Sequence, residues 1–388
     1  MSRKSLLFVC YGLGIGGIEK CLVNLLNTLP EEDYEVDLLV MDPIYDMLPQ
    51  IRRKIHMVDP FEYTLNTEIT MQEIRKRGGI FQHLDKLLPY LVHRVRIKLG
   101  LPLWVQFKPM EKHYDVAIAY SQNGIGPYYV ADKIQASRKV LWYHNGAYER
   151  TGKEYALDRV YYGKFDSIVA VSEDCAKVLR DKFPEEREKI MVLHNLCDVR
   201  DIREKAAAFY PDTFAAGKQH IVTVGRLSRE KGAFLALEAC RILREKQYAV
   251  CWHWVGDGSQ KTEIQEKIQE LGLEKDFLLE GNQKNPYPYI LGADIYVQPS
   301  FYEAYSTTVT EARVLCRPIV ATDVGGMHDQ LTSGINGEIV PIDAGALADA
   351  VGLLLEQEER RRSYTDRLMQ EPYDAKTVFA EYERTVFA

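Results

Sequence analysis

Short apolar runs that end in a glycine turn recur along this chain, and a helical pattern follows most of these turns. Parallel strands need a crossover of this kind, and the crossover helices then cover both faces of the sheet. The alternation therefore predicts an α/β protein built from parallel sheets. The glycine turns lie at Gly12–Gly17, Gly225–Gly232, Gly256–Gly258 and Gly325–Gly326.

A chain of 388 residues is too long for one ordinary core, so we expect two Rossmann-like domains, at 1–200 and 201–372. Ligands of open parallel sheets bind beyond the carboxyl ends of the strands, which predicts that the two domains face each other across a cleft. The predicted strands are Leu6–Cys10, Tyr34–Met41, Val116–Tyr120, Val140–Tyr143, Ser167–Val171, Met191–His194, Ile221–Val224, Cys251–Val255, Phe277–Glu280, Ile295–Gln298 and Ile319–Ala321. The predicted helices are Ile18–Leu29, Asp174–Lys182, Ala233–Lys246, Gln260–Leu271, Thr307–Leu315 and Ala344–Glu359.

The composition excludes several classes of protein. A net charge of −7 argues against a nucleic-acid partner, and no apolar run is long enough to span a bilayer. Seven scattered cysteines without a Cys-x-x-Cys pair favour reduced thiols in a cytoplasmic protein. The chain has no Asp-x-Asp, no zinc-type Cys/His cluster, no nucleophile elbow and no phosphate-binding P-loop, so we expect no protein-held metal and no cofactor.

The stretch 75–112 is strongly basic and carries apolar residues at roughly helical spacing. Such a helix, with Trp104 and Phe107 beyond it, is typical of a peripheral contact with the cytoplasmic membrane face. The alternative is a core-facing helix whose basic side is solvated. The cations are Arg75, Lys76, Arg77, Lys86, Arg94, Arg96, Lys98, Lys108 and Lys112, against Asp85 and Glu111.

Two glutamates eight residues apart, Glu303 and Glu311, enclose a predicted helix start that follows an apolar strand. The free N–H groups and positive dipole of such a start favour an anion, while carboxylates favour hydroxyl groups. A sugar nucleotide offers both chemistries at two ends of one molecule. Alternatively, Thr308-Val-Thr-Glu311 is a capping box in which the glutamate only closes the helix.

Three further segments have a functional and a structural interpretation. Gly12-Leu-Gly14-Ile-Gly16-Gly17 matches the dinucleotide-binding fingerprint, which would make the protein an NAD-linked oxidoreductase, although any tight turn near a phosphate needs glycines. Arg226 and Lys231 follow a strand and could neutralise a diphosphate, or could be solvated surface cations. His144 ends a strand, where it could contact a ligand or be structural.

The second half resembles the retaining glycosyltransferases of family 4, which have the two-domain GT-B fold. The first half resembles them more loosely, through Gly16-Gly17-Ile-Glu19, Tyr143-His144, Ala170-Val-Ser-Glu173 and His194-Asn195. The second half carries the resemblance in Val224-Gly-Arg-Leu, Lys231-Gly232, Val255-Gly-Asp-Gly258, Asp294–Ser300, Glu303–Glu311, Pro318–Gly326 and Gly334-Ile-Asn-Gly337.

The resemblance implies a role for each of these residues. Arg226 and Lys231 would hold the donor diphosphate, Glu303 the donor sugar and Glu311 the ribose, and His144 would lie near the transferred sugar. The N–H groups near Tyr305, Ser306 and Thr307 would meet the distal phosphate, and Gly16 and Gly17 would approach the donor across the cleft. Segment 373–388 would return to the N-terminal domain. The chain departs from the family's pattern at Ala304-Tyr305-Ser306, where the bulky Tyr305 could alter sugar choice.

The resemblance thus implies a retaining hexosyltransferase that moves a sugar from a nucleoside diphosphate, most often UDP in the family, to a hydroxyl group. The basic stretch 75–112 favours a lipid-linked saccharide of surface polysaccharide synthesis as the acceptor. A soluble acceptor, an NAD-linked oxidoreductase and a catalytically silent nucleotide-sugar binder remain the alternatives.

Overall fold

The computed structural model describes residues 3–63, 74–76, 84–99 and 101–388. Contacts divide the chain into two compact units. Unit 1 comprises Met1–Leu196 and Val378–Ala388, and unit 2 comprises Cys197–Thr377. The sequence put the change of domain at residues 200 and 201, and the start of the returning segment at residue 373.

Unit 1 contains a parallel sheet of seven strands in the order β3-β2-β1-β4-β5-β6-β7. The chain adds strands to one side of β1 and then crosses to the other, so the carboxyl ends of β1 and β4 flank the point where a ligand binds in folds of this kind. The strands are β1 Lys4–Cys10, β2 Tyr34–Val40, β3 His56–Val58, β4 His113–Ala119, β5 Gln135–Tyr143, β6 Ser167–Ala170 and β7 Ile190–Val192.

The described helices of unit 1 connect these strands. The predicted N-cap Ser172 is confirmed, because its Oγ accepts a hydrogen bond from the backbone N–H of Cys175. The sequence pattern predicts neither β3 nor the helices at Pro60–Tyr63, Gly126–Lys133 and Gly152–Tyr162. The helices are α1 Gly17–Thr28, α2 Pro60–Tyr63, α3 Leu84–Lys98, α4 Gly126–Lys133, α5 Gly152–Tyr162 and α6 Glu173–Lys182.

The C-terminal residues of the chain are part of the unit 1 core. The Tyr382 hydroxyl donates to the backbone oxygen of His194 at 2.7 Å, and the Phe387 ring lies 5.5 Å from that of Tyr34. Lys4 Nζ donates to the backbone oxygen of Phe387 at 2.7 Å. Tyr382 ends the helix α14 Ala375–Tyr382, and Phe387 ends the short π-helix Glu383–Phe387 that follows it.

Unit 2 contains a parallel sheet of six strands in the order β10-β9-β8-β11-β12-β13. The chain adds β9 and β10 on one side of β8 and then β11, β12 and β13 on the other, so the strand order reverses between β8 and β11. The helix predicted over Ala344–Glu359 ends at Glu356, and a separate helix begins at Glu358. The strands are β8 Gln219–Val224, β9 Val250–Val255, β10 Phe277–Gly281, β11 Ile295–Gln298, β12 Ile319–Thr322 and β13 Glu338–Val340. The helices are α7 Val199–Ala206, α8 Ala233–Glu245, α9 Lys261–Glu270, α10 Tyr287–Gly292, α11 Thr307–Val314, α12 Ala344–Glu356 and α13 Glu358–Gln370.

The described part of the basic stretch 75–112 is only partly as predicted; residues 77–83 and 100 lie outside the described residues. Trp104 and Phe107 are buried, with Trp104 stacked on Tyr128 at 4.3 Å, so their predicted place at a membrane surface is wrong. From residue 91 onward, the apolar side chains of α3 instead face solvent, which also contradicts the core-facing alternative for its last turns. These exposed side chains are Leu91, Val92, Val95 and Ile97, followed by Leu99 after the helix.

In the part of the chain that the structure describes, none of the helices is both long and apolar enough to cross a membrane.

Candidate active site

The start of α11 is the centre of the candidate site in unit 2. Ser306 is its N-cap, because the Ser306 Oγ accepts a hydrogen bond from the backbone N–H of Val309 at 3.4 Å. The capping box predicted for Thr308 and Glu311 is therefore wrong, since the helix already begins at Thr307 and Glu311 is buried within it. The Val309 N–H is taken by the cap, and the Ser306 N–H donates to Gln330 Oε1, so the predicted contact of the Ser306 N–H with a phosphate is not supported. The N–H groups of Thr307 and Thr308 precede the first hydrogen bond within the helix, which leaves these two available to an anion.

Glu303 precedes this helix start and forms an ion pair with Lys231. The Lys231 Nζ lies 2.6 Å from Glu303 Oε1, and the same oxygen accepts hydrogen bonds from Ser300 Oγ at 2.8 Å and Gln298 Nε2 at 3.0 Å. Glu303 is 7% exposed. Three donors thus fix one carboxylate oxygen, and no described residue is recorded as a partner of the other.

Backbone contacts bring these two side chains together across unit 2. Lys231 ends a short 3₁₀ turn, and Gly232 follows it with a φ of 74°. A Cβ at Gly232 would lie 1.8 Å from the backbone oxygen of Pro299, so only glycine permits this approach. The Phe301 N–H also donates to the backbone oxygen of Glu230 at 2.8 Å, which holds the Lys231 loop against the Glu303 loop.

Gln298 extends the hydrogen-bond network from Glu303 to the first turn of α11. Its Oε1 accepts from the Tyr296 hydroxyl at 2.8 Å and from Thr308 Oγ1 at 3.0 Å. The sequence analysis treated Gln298 only as the end of a strand. A polar residue that closes a buried apolar strand was the available signal, because such a residue needs partners inside the fold.

Arg226 lies apart from this network. Its side chain is 72% exposed and forms an ion pair with Glu230 Oε1 at 3.2 Å, four residues further along the chain. A long exposed arginine is not held in one place by such a pair. The structure therefore brings Lys231 to Glu303 but leaves Arg226 as a solvated cation at the same strand end.

Tyr305 is buried in unit 2, and burial raises the pKa of its phenol to about 12. Thr310 is likewise buried, and its Oγ1 donates to the backbone oxygen of Ser306 at 3.2 Å. Gln330 binds the adjacent backbone, with its Oε1 accepting from the Ser306 N–H at 2.9 Å. Tyr305 thus helps to anchor the helix start, and its predicted effect on sugar choice stays a prediction.

His144 lies directly after β5 at the carboxyl edge of the unit 1 sheet, where it is buried. Its Nε2 lies 3.2 Å from the backbone oxygen of Tyr120, an acceptor, which places the ring proton on Nε2 and leaves Nδ1 as an acceptor. Burial lowers the pKa of His144 to about 4, so the ring is neutral near pH 7. The His144 N–H also donates to Gln122 Oε1 at 3.0 Å.

Gly16 and Gly17 lie at the start of α1, between β1 and that helix, as the sequence predicted. Gly16 has an extended backbone with a φ of −163°, and a Cβ there would come within 2.2 Å of Glu19 Oε2. The turn is the strand-to-helix turn shared by dinucleotide and sugar-nucleotide enzymes. Its geometry alone does not separate these two classes, and the predicted approach of Gly16 and Gly17 to a donor stays a prediction.

Among the residues that the structure describes, no three histidine, cysteine, aspartate or glutamate side chains are grouped so that they could hold a metal ion.

Two family models match most of the chain. The model for glycosyltransferase family 4 matches residues 15–201, and the model for glycosyl transferases group 1 matches residues 208–368. Both describe glycosyltransferases, and neither is a model of NAD-linked oxidoreductases. The first match ends at residue 201 and the second begins at residue 208, close to the boundary between unit 1 and unit 2 at Cys197.

Curated relatives and solved structures resemble the chain over most of its length. The N-acetylgalactosamine-N,N'-diacetylbacillosaminyl-diphospho-undecaprenol 4-alpha-N-acetylgalactosaminyltransferase of Campylobacter jejuni is 25% identical over 361 residues, which are 92% of each chain. HepE of Anabaena, crystallised with UDP, has a TM-score of 0.75 at 16% identity and covers 99% of this chain and 100% of its own. A TarM variant of S. aureus has a TM-score of 0.74 at 14% identity, with 100% of both chains covered.

The two parallel sheets, the two family models and the likeness to known structures agree with one another. The chain belongs to the family 4 and group 1 glycosyltransferases and is an enzyme with their two-domain GT-B fold.

Proposed function

We propose that this enzyme is a retaining hexosyltransferase that transfers a sugar from UDP to a hydroxyl group of a lipid-linked saccharide, without a protein-held metal. The observation that carries the proposal is the Lys231–Glu303 pair in front of the start of α11. It puts a fixed cation, a fixed carboxylate and free backbone N–H groups in one place. A sugar diphosphate needs all three.

The diphosphate would lie against Lys231 and the first turn of α11. When the bond between the sugar C1 and the diphosphate oxygen breaks, the electron pair stays on that oxygen and negative charge develops there. An ammonium group and preorganised N–H donors stabilise this charge more than they stabilise the bound donor, which lowers the barrier. These groups supply the positive charge that a divalent cation provides in other phosphate-transfer sites.

Glu303 would bind the hydroxyl groups of the donor sugar. One of its oxygens is occupied by Lys231, Ser300 and Gln298, so the side chain cannot rotate freely. The second oxygen can then accept hydrogen bonds from the sugar. Glu311 is buried in α11, two residues after Val309, and we assign it to the ribose hydroxyls on the basis of the family resemblance.

Retention of configuration is part of the proposal. The acceptor oxygen would attack C1 from the side on which the diphosphate leaves, and the departing phosphate oxygen would take the acceptor proton. No side chain is needed as a covalent nucleophile in this scheme. His144 would contribute a neutral Nδ1 acceptor for a sugar hydroxyl, in agreement with its lowered pKa.

Two observations favour a lipid-linked acceptor at an anionic membrane. The Campylobacter relative is named for a diphospho-undecaprenol substrate. In this chain, Leu91, Val95 and Leu99 recur at helical spacing and are exposed, and Arg94 and Lys98 lie beside them. An exposed apolar stripe bordered by cations is the pattern of a helix that lies in the lipid headgroup region.

The first test is donor turnover. The purified enzyme would be incubated with UDP-, GDP- and ADP-sugars and a membrane lipid extract, with and without EDTA, and released nucleoside diphosphate measured. We expect release from one UDP-sugar, unchanged by EDTA and lost in Glu303→Ala but not in the exposed control Glu263→Ala. Transfer that persists in Glu303→Ala contradicts the proposed site. Turnover with a soluble acceptor alone contradicts the proposal of a lipid-linked acceptor. Analysis of the product anomer decides whether configuration is retained.

The second test is flotation with vesicles of phosphatidylglycerol and of phosphatidylcholine. We expect binding to the anionic vesicles at low salt, and its loss in the double variant Leu91→Glu, Val95→Glu. Val160→Glu is the matched control, since Val160 is an exposed apolar residue on α5 of the same unit. Equal flotation of the double variant and the wild type would exclude α3 as the contact.

A further inference from the structure

Gln298 is 1% exposed and uses every hydrogen-bonding position of its amide. Its Oε1 accepts from the Tyr296 hydroxyl and from Thr308 Oγ1, and its Nε2 donates to Ser300 Oγ at 2.8 Å and to Glu303 Oε1 at 3.0 Å. One amide therefore joins the carboxylate of the candidate site to the first turn of α11.

The amide can adopt only one orientation. The Glu303 carboxylate accepts hydrogen bonds and cannot donate them, so the NH₂ group must point toward it. In the reversed orientation two oxygens would face each other in a buried site, at the cost of a lost bond and a repulsion. On the other side, burial raises the pKa of Tyr296, so its hydroxyl keeps the proton that it donates to Oε1.

We propose that Gln298 is a positioning residue for sugar transfer, which holds Glu303 in the rotamer that presents its second oxygen to the donor sugar. The inference rests on the proposed function, because it assigns Glu303 to that sugar. Packing alone does not require an amide here, since a methionine of similar length would fill the same space. A methionine would remove one of the three donors to Glu303 Oε1 and the link to Thr308.

Two substitutions at this position separate the chemistry from the packing. Gln298→Met keeps the volume but loses the amide. Gln298→Glu keeps the shape and, when protonated, can donate to Glu303 as the amide does; when ionised it places one carboxylate against another. Burial and a like charge raise the pKa of such an acid, so the change between the two forms falls in the neutral to alkaline range.

The readouts are kcat and KM for the UDP-sugar that the wild type turns over, between pH 6 and 9, and the Kd of UDP alone. We expect Gln298→Met to lower kcat by about 10- to 100-fold at every pH, the effect of a lost hydrogen bond to a charged group, with the Kd of UDP within about 3-fold of the wild type. Gln298→Glu should approach wild-type kcat at pH 6 and fall toward the methionine variant at pH 9. The exposed control Gln269→Met should change neither quantity.

The proposal is overturned if the kcat of Gln298→Met stays within about 3-fold of the wild type. A change that small is less than the effect of losing one hydrogen bond to a charged group. If that variant does not fold, the Gln298→Glu profile decides, and a profile parallel to that of the wild type overturns the proposal equally. A wild-type enzyme that turns over no UDP-sugar is a failure of the proposed function instead, so the two failures are distinguishable.

Discussion

Two ion pairs with a buried carboxylate, one in each unit, show how the same chemistry serves different purposes. In unit 1, Arg150 Nη1 lies 2.9 and 3.0 Å from the two oxygens of Asp158, which is 0% exposed. The hydroxyl groups of Tyr128 and Tyr148 donate to the same carboxylate at 2.5 and 2.7 Å. Both oxygens of Asp158 are therefore occupied by the protein itself.

In unit 2, the Lys231–Glu303 pair is satisfied on one side only. Three donors converge on Glu303 Oε1, and no described residue is recorded as a partner of Oε2. A carboxylate that is fixed by one oxygen and open at the other is arranged for a ligand, whereas a fully occupied carboxylate is arranged for the fold. The two pairs should then differ in what their loss affects.

The largest effect is expected for Asp158→Ala, and it is an effect on stability. The substitution leaves the Arg150 charge and two tyrosine hydroxyls without their common acceptor, which should lower the free energy of unfolding by about 3–5 kcal/mol. Denaturant unfolding measures this loss, and the exposed Glu154→Ala on the same helix should stay within about 0.5 kcal/mol of the wild type. A loss below about 1 kcal/mol would show that the pair is not needed by the fold.

Lys231→Met should give the opposite result, a loss of activity with little loss of stability. Removal of the ammonium group takes away charge that stabilises the leaving diphosphate, so kcat/KM should fall about 100-fold. Removing Lys231 leaves the buried Glu303 carboxylate without its cation, but Glu303 keeps its bonds to Ser300 and Gln298. The free energy of unfolding should therefore fall by about 1–2 kcal/mol, well below the loss expected for Asp158→Ala.

Lys246→Met is the matched control for that substitution, because Lys246 is exposed and pairs with Asp349 on the surface of the same unit. Steady-state kinetics and unfolding curves of the two variants make the comparison. If Lys231→Met loses stability as Asp158→Ala does, the contrast between the two ion pairs is wrong.

The sequence predicted the frame of both regions but not their internal contacts. Alternating apolar runs and glycine turns located β1, β8, β11 and α11, because strand and helix patterns are local. Ser306 was missed as the N-cap because Thr308 and Glu311 also satisfy the spacing of a capping box, and only the backbone decides between them.

The contacts that distinguish the two ion pairs depend on distance in space, which no spacing in the sequence encodes. Gln298 ends β11, Glu303 lies five residues later in the loop that follows, and Lys231 contacts Glu303 from 72 residues away in the sequence. Lys231 and Glu303 were selected because they lie after a strand and before a predicted helix start, and the family resemblance then gave them roles. Asp158 belongs to no such pattern and was passed over. Chemistry carried by a motif was visible, whereas support supplied by the surrounding fold was not.

His144 sharpens the comparison because it is a proposed site residue whose buried ring is neutral near pH 7. The Arg150–Asp158 pair supports it indirectly, since Arg150 Nη2 donates to the backbone oxygen of Gln122, whose side chain accepts the His144 N–H. The pKa of His144 is lowered to about 4 by burial, against about 6.5 in an unfolded chain. Between these values the unfolded state binds more protons, so stability must fall as the pH falls.

The expected loss between pH 7 and pH 5 is about 2 kcal/mol from this residue. Denaturant unfolding of the wild type and of His144→Gln at both pH values isolates the contribution of His144, because the other titrating groups are common to both proteins. A loss of the same size in the variant would mean that His144 is not the group responsible. Activity in the neutral range should show no step from His144, since the ring is already neutral there.

The smallest effect is expected at Arg226, which carries the same charge as Lys231 and follows the same strand but is 72% exposed and pairs with Glu230. An exposed i,i+4 pair contributes about 0–1 kcal/mol, so Arg226→Ala should leave stability unchanged. A flexible cation near the diphosphate should still aid binding, and we expect the donor KM of Arg226→Ala to rise about 3- to 10-fold at low salt. The rise should be smaller at high salt, where screening weakens the attraction between Arg226 and the diphosphate.

Glu230→Gln would release Arg226 and should lower the donor KM or leave it unchanged. Arg226→Ala could instead lower kcat/KM as much as Lys231→Met does. In that case a cation need not be held in place in the free enzyme to aid transfer, and the donor must order Arg226 when it binds.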